Sequence, residues 1–228
     1  MTAPARVAKP SRADWRFLNH RLSGSRRYVF GGYIVHGLVN RAIQTFISDV
    51  YGDQTWAEIC RDAALGFDSF EALLIYDSAL TEAVLAAACR RLKRDRAPLL
   101  EDMGTYLVAQ LRSGAVRRLL RFGGESFEDF LHSLDDLHDR ARLALPDLDF
   151  PRLVLSQNGP LSFELSFQWD KPGFAALALG ILRAMADEYG ALVLLDHVAG
   201  EGVHERITID LLDPDFAAGR EFRLGARS

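Results

Sequence analysis

The chain has 228 residues, 49% of them hydrophobic and 25% charged, with 27 Lys and Arg against 31 Asp and Glu and a net charge of −4. That balance is ordinary for a globular protein. It excludes a disordered chain, a collagen-like repeat and a disulfide scaffold, and with no domain-wide basic field nucleic acid is not expected as a partner. Cys60 and Cys89 lie far apart and form no CxxC, which suits a reducing, cytoplasmic setting and offers no zinc site. No strictly apolar run reaches the ~18 residues that a membrane span needs.

Charge is uneven. Residues 1–33 hold Arg6, Lys9, Arg12, Arg16, Arg21, Arg26 and Arg27 against Asp14 alone, so this stretch carries +6 of a net −4 and the remainder carries −10. It lacks the apolar core of a secretory signal. An Arg-rich, acid-poor start also resembles a transit peptide; the simpler reading is a flexible or partly helical basic extension.

From Gly37 the spacing predicts helices. Leu38, Val39, Ala42, Ile43, Phe46, Ile47 and Val50 recur at three and four, and Tyr51-Gly52 ends the run. Trp56, Ile59 and Cys60 mark a short second helix. Leu80, Val84, Leu85, Ala88 and Leu92 share one face of a third over 78–92. Pro98 opens a fourth that runs to Leu111, Gly114 separates it from 115–121, and Gly123-Gly124 is a break. A helix from about Ser126 to Leu145, bent in its middle, stops before Pro146. After Pro151 the texture changes to short segments rich in β-formers, at 152–156 and 161–167 around Asn158-Gly159-Pro160, then an apolar helix over 173–189, then strands at 191–198 and 203–212. Helices followed by β-β-α-β-β define an α+β fold with a four-stranded antiparallel sheet. The expected division is a basic extension at 1–33, a domain over 34–213 and a tail over 214–228.

On the helix from Ser126, Phe127, Phe130, Leu131, Leu134, Leu137, Ala141 and Leu145 form a stripe with the spacing of a buried face. His138 lies on the stripe and should point inward. His132 lies off it, among Glu128, Asp129, Asp135, Asp136 and Asp139, and should face water. An inward neutral imidazole has two readings: an axial ligand for a metal or haem, or a core histidine satisfied by a backbone carbonyl. Other signals are weaker. Gly31-Gly32 and Gly123-Gly124 follow no strand and are not phosphate loops. No nucleophile elbow or convergent catalytic set is present, so no enzyme activity is expected. Arg117, Arg118 and Arg121 read as a surface cluster, and Trp169 as a cap on the core or a pocket wall.

His36-Gly37-Leu38-Val39-Asn40-Arg41-Ala42-Ile43-Gln44, then Asp49-Val50-Tyr51-Gly52 and Trp56, resembles the opening of the H-NOX (haem nitric oxide/oxygen binding) family, which includes the haem domain of soluble guanylate cyclase and bacterial stand-alone proteins. Tyr76-Asp77 and the Ala-rich helix after it are similar to the family's next block. Phe130-Leu131-His132-Ser133-Leu134-Asp135-Asp136-Leu137-His138-Asp139, with Pro146 and Pro151, resembles the block that carries the proximal histidine. The resemblance runs from Val35 to Leu212. It implies the H-NOX fold, a ferrous haem b, and sensing of NO or O₂ with the signal passed in trans to an effector such as a histidine kinase or a cyclic-di-GMP enzyme. It places His138 as the iron ligand, Val39 and Ile43 against the porphyrin, and Pro151 on the haem plane.

The family holds the haem propionates with Tyr-x-Ser-x-Arg. The matching stretch here is Phe167-Gln168-Trp169-Asp170-Lys171, so two hydroxyl donors are lost and the arginine fork becomes a point charge, each charge-assisted contact being worth about 1.5–3 kcal/mol. The alternative function that follows is a haem-free interaction or regulatory module on the same fold. In O₂-binding members a distal tyrosine on the late helix contacts the bound gas; counting back three from Gly180, the matching residue is Leu177. The helix from Phe174 to Met185 has no Tyr, His, Asn or Gln. The resemblance therefore implies NO binding without stable O₂ binding.

Overall fold

Two short strands, each ending in a side chain that caps the helix behind it, begin the fold. In this computed structural model residues 33–111, 124–144, 148–169, 173–198, 205–214 and 216 are described. The basic stretch before Tyr33, the 115–121 segment, Leu145, Pro146, Lys171 and residues 199–204 lie outside them, as does all of the C-terminal tail but two of its residues. The chain divides into two units, Met1–Lys93 and Arg94–Ser228.

In the first unit, β1 (Ile34–His36) runs into α1 (Gly37–Tyr51), followed by α2 (Asp53–Asp62), β2 (Ile75–Asp77) and α3 (Ser78–Leu92). The strands pair antiparallel with His36 opposite Ile75. Their three-residue length carries no period, so only their helices were legible in sequence. Both helix starts are capped. His36 Nδ1 accepts from the Leu38 N–H at 3.2 Å, and Asp77 Oδ1 accepts from the Ala79 N–H at 2.8 Å, which satisfies donors the helices leave open. Gly37 is required by close approach: its N–H donates to the Leu74 carbonyl at 2.7 Å, and a Cβ there would sit 2.1 Å from the Glu71 carbonyl.

The loop between α2 and β2 is tied by side chains. Gln44 accepts from the Phe70 N–H at 3.0 Å, Arg41 donates to Ser69 Oγ at 2.6 Å, Trp56 Nε1 donates to the Asp68 carbonyl at 2.8 Å, and Tyr76 Oη accepts from the Glu71 N–H at 2.8 Å. Phe70 and Tyr76 meet edge-on with centroids 4.9 Å apart. Burial pushes the Tyr76 phenol above its ordinary range, and burial with the nearby Asp68 charge pushes the Cys60 thiol up to about 11, so Cys60 is a packing residue rather than a reactive thiolate.

The second unit contains α4 (Arg96–Leu111), α5 (Phe127–His132), α6 (Leu137–Ala144), β3 (Arg152–Gly159), β4 (Ser162–Gln168), α7 (Phe174–Tyr189), β5 (Leu192–Val198) and β6 (Arg206–Asp213). The four strands form one antiparallel sheet in the order β3-β4-β6-β5, as the β-β-α-β-β pattern implies. Alternation puts Leu153, Phe163, Leu165, Phe167, Ile207, Ile209 and Leu211 on its buried face, against Ala175, Ala178, Leu182, Met185 and Ala186 of α7 and Phe127, Phe130 and Leu131 of α5. Helices α4 and α7 cross on glycines. A Cβ on Gly104 would lie 2.2 Å from the Leu177 carbonyl, and one on Gly180 would lie 1.9 Å from the Glu101 carbonyl. Thr105 Oγ1 donates to the Gly180 carbonyl at 3.3 Å, and Arg183 pairs with Glu101.

The elements differ from expectation at a few ends. Helix α4 starts at Arg96, so Pro98 lies within its first turn, where a missing N–H costs nothing. Strand β3 continues to Gly159 through a register shift after Gln157. The single helix expected over 126–145 is two, α5 and α6.

The glycine crossing gives a stability prediction. Gly180→Ala forces the α4 and α7 backbones apart and should lower stability by about 1–3 kcal/mol, the usual cost of overpacking a tight core. Urea unfolding followed by circular dichroism measures it, and an unchanged midpoint would show that the crossing is loose.

Candidate functional site

The proximal segment is built by local hydrogen bonding. Ser126 and Asp129 form a capping box: Ser126 Oγ accepts from the Asp129 N–H at 3.1 Å, and Asp129 Oδ2 accepts from the N–H groups of Ser126 at 3.1 Å and Glu125 at 3.2 Å. The Ser126 hydroxyl and these backbone donors hold the Asp129 carboxyl below its usual range. Helix α5 then ends early. Ser133 Oγ bonds back to the Phe130 carbonyl at 2.7 Å, and Leu134 and Leu137 N–H groups donate three residues back, at 3.0 Å each. Serine and aspartate at 133, 135 and 136 favour such turns over continued helix. Asp135 Oδ1 accepts from the Leu155 N–H at 2.8 Å, which pins the turn to β3.

The break resets the helical phase, yet His138 still turns inward. The residue is half-buried, and its Nδ1 lies 3.0 Å from the Phe150 carbonyl and 3.3 Å from the Pro151 carbonyl. A carbonyl can only accept, so Nδ1 carries a proton, and in the neutral ring Nε2 then carries the free lone pair. Among the described residues Nε2 takes no hydrogen bond. The two readings of the imidazole are compatible: the carbonyls that satisfy it also fix its orientation, an arrangement that metal-binding histidines use. His132 faces outward with its side chain 52% exposed, its Nε2 3.9 Å from Glu128 Oε1. It is not wholly in water, because its ring meets Phe163 edge-on with centroids 5.8 Å apart.

An aromatic wall adjoins His138. Phe150, whose carbonyl holds the imidazole, packs edge-on against Phe174 with centroids 5.6 Å apart; Phe174 in turn meets Phe167 at 5.5 Å and Trp169 at 6.3 Å. Phe167 is 2% exposed and lies in the sheet core, whereas Trp169 is half-buried. Neither brings a hydroxyl donor. Pro151 is buried, and Leu177 is half-buried on α7 with its carbonyl toward Gly104. The structure therefore brings His138, Pro151, Phe167 and Trp169 into one region of the second unit. Val39 and Ile43 belong to α1 of the first unit, where Ile43 is buried and Val39 is 37% exposed. Lys171 lies outside the described residues.

Phe150 and Phe174 were not singled out in the sequence. Phe150 acts through its carbonyl, which no side-chain pattern reports; the one available signal is its place before Pro151, which favours extended backbone.

The donor set suits a haem on its axial side: one oriented imidazole backed by apolar rings. The family model described as haem-NO-binding (HNOB) matches residues 36–197, and the chain belongs to that family. The fold is that of H-NOX proteins. The structure matches the H-NOX protein from S. oneidensis in the Fe(II)NO state with a TM-score of 0.67, 14% identity and coverage of 78% of this chain and 100% of that one. It matches the Fe(II) unliganded H-NOX protein from K. algicida with a TM-score of 0.66, 14% identity and coverage of 78% and 97%. Curated relatives include soluble guanylate cyclase gcy-31 of Caenorhabditis elegans, 26% identical over 155 residues, and soluble guanylate cyclase 89Db of Drosophila melanogaster, 22% identical over 164. These matches cover 68% and 72% of this chain but only 22% and 24% of the relatives, so the chain spans about a quarter of their length. Among the described residues no helix is long and apolar enough to cross a membrane.

The tautomer can be checked without haem. In nitrogen-resolved NMR of the apoprotein, His138 should show a protonated Nδ1 and a bare Nε2, while His132 should exchange between tautomers. A protonated Nε2 on His138 would break the assignment of the lone pair.

Proposed function

We propose that this chain binds ferrous haem b through His138 and senses NO, passing the signal to a separate effector. The observation that carries the reading is the hydrogen bond from His138 Nδ1 to the Phe150 carbonyl, which aims an unprotonated Nε2 away from its own backbone. Haem, if bound, would be held by His138 and would supply a ferrous iron able to take up NO. The chain's own residues do the rest. The Phe150 and Pro151 carbonyls fix the imidazole's rotation and tautomer. Phe150, Phe174 and Trp169 exclude water on one side. Val39 and Ile43 draw their proposed porphyrin contact from the family resemblance alone, as Pro151 does its pressure on the haem plane and Lys171 its charge toward a propionate.

The element that can respond is α6. It has no fully buried residue and is set off from α5 by the 133–136 turn. It is tethered to β3 and its approach through Asp135–Leu155 and His138–Phe150. A helix held this lightly has a second position within reach when its histidine is pulled or released. The effector reading, a histidine kinase or a cyclic-di-GMP enzyme in a cytoplasmic setting, is supported by the resemblance and by relatives named as guanylate cyclases.

Gas preference follows from the distal helix. Bound O₂ gains negative charge on its outer atom and needs a donor, whereas NO does not. Leu177 and its neighbours on α7 supply none. A second reading, a haem-free interaction module, is favoured by one observation: Phe167 and Trp169 replace hydroxyl donors with rings packed on Phe174.

Reconstitution with haemin and reduction separates the two. The haem reading expects a Soret band and a five-coordinate ferrous spectrum that His138→Gly loses, that added imidazole restores, and that His132→Ala keeps. No Soret band in the wild type would select the haem-free module.

Exposing the reduced protein to air tests the gas assignment. NO and CO complexes should form and no stable oxy form should appear, while Leu177→Tyr should create measurable O₂ affinity. A long-lived oxy form in the wild type would overturn the apolar distal pocket.

A further inference from the structure

The sheet of the second unit has two edges, and they are finished differently. In the order β3-β4-β6-β5 the outer strands are β3 and β5. An edge strand offers a row of backbone N–H and C=O groups with which another strand can pair. On β3 that row is occupied. Asp135 Oδ1 accepts from the Leu155 N–H at 2.8 Å, and His138 Nδ1 lies against the carbonyls of Phe150 and Pro151 where the strand begins. A register shift after Gln157 breaks its far end. On β5, no described residue bonds to the row that faces away from β6.

Strand β5 also lacks the usual guards of an edge. Its sequence, Leu192-Val193-Leu194-Leu195-Asp196-His197-Val198, holds no Pro, Lys or Arg, and its register on β6 is unbroken from Val193 to Val198. Leu194, Asp196 and Val198 lie opposite Asp210, Thr208 and Arg206, on the sheet face away from the core, because the intervening Ile207, Ile209 and Leu211 are buried. Leu192 shares that face along β5. Leu192, Leu194 and Val198 are exposed, Leu194 to 50%, and Leu212 at the neighbouring end of β6 is exposed to 61%. Natural sheets avoid apolar side chains along a free edge unless the edge is used.

The pattern of β5 fits β5 itself. In an antiparallel pair about a two-fold axis, all seven residues are paired only when Leu195 lies opposite Leu195 of the second copy. Leu192 then meets Val198, Val193 meets His197 and Leu194 meets Asp196, each twice, so the two carboxylates are never opposite one another. Since β3 is occupied, the same edge serves in both copies, and the contact closes as a pair instead of extending into a fibre. We propose that this chain forms a two-fold dimer by antiparallel pairing of β5 with β5 of a second copy, which joins the two sheets into one. The pairing does not depend on the haem reading.

Sedimentation equilibrium of the full chain across micromolar concentrations tests it, with Leu192→Lys, Val198→Glu and the double variant. Position 192 lies opposite Asp213 and position 198 opposite Arg206 on β6, so each new charge is compatible with the chain's own sheet. The wild type should dimerise. Each single variant should weaken the dimer on the order of tenfold, since the symmetric contact loses two apolar cross-strand pairs. The double variant should recover most of the loss through two cross-copy ion pairs, and the recovery should fade in high salt. Positions 192 and 198 lie about 20 Å apart along one strand, so only a second copy brings them together. A wild type that stays monomeric would overturn the proposal. A dimer that all three variants leave intact would place the interface elsewhere and overturn it too. Single variants that weaken the dimer with no recovery in the double variant would overturn the pairing of β5 with itself.

Discussion

Helices α4 and α7 meet with no side chain between them at Gly104 and Gly180, and the second unit is arranged around that contact. Because the backbones touch, α7 cannot rotate or slide without collision. Its alanine face is thereby committed to the sheet, and its first turn, with Phe174 and Ala175, is committed to the end of β4. Everything argued about the site depends on that placement. Phe174 reaches Phe150, Phe167 and Trp169 from one position, and Ala175 presents its N–H to Glu205. The Gly180 carbonyl, bonded by Thr105, adds a polar lock on the same crossing. Small residues at a crossing give a close and rigid contact, and in the proposed response rigidity on the α7 side leaves α6 as the element to move.

The fold was legible where periodicity was strong. The helices of the first unit and the order β-β-α-β-β followed from spacing three-four and from alternation, which report burial directly. What was not legible depends on pairing or on local bonds. The β1–β2 ladder has three residues a side, too few for a period. The break at Ser133 comes from a hydroxyl bonding back to the Phe130 carbonyl and from Asp135 reaching β3, a competition with the helix that the apolar stripe cannot see. The Phe127–Leu145 stripe was therefore a correct account of burial up to Leu134 and an incorrect account of a single continuous helix.

The orientation of His138 has a cause that the stripe does not contain. The stripe put it inward by phase, and the phase is reset at the turn. What turns it inward is the Phe150 and Pro151 carbonyl pair on the segment entering β3. By contrast the family-like block from His36 to Gln44 proves to be largely scaffolding: His36 caps α1, Arg41 and Gln44 hold the Ser69–Phe70 loop, and Asn40, 1% exposed, accepts from Thr81 Oγ1 at 2.7 Å across to α3. The polar residues that carry the sequence resemblance there hold backbone in place, which is why they identify the fold more securely than they identify a ligand.

The two ends of the proposed haem site are consequently unequal, and the inequality has a physical direction. At the axial end, orientation is already provided by two carbonyls, so little side-chain entropy is lost when Nε2 takes a ligand. In the Phe167–Trp169 stretch, rings packed on Phe174 stand where the family resemblance expects donors, and Glu205 accepts from the Ala175 N–H at the head of α7. A carboxylate entering there would give up its hydration and find little to replace it. Binding free energy in such a site concentrates on the iron–histidine contact and on apolar surface. A ligand that weakens the histidine contact then removes a larger share of what holds α6 in place than it would where propionates share the hold. In the proposed haem site the altered stretch would make the histidine, and with it α6, the more sensitive reporter of what binds the iron.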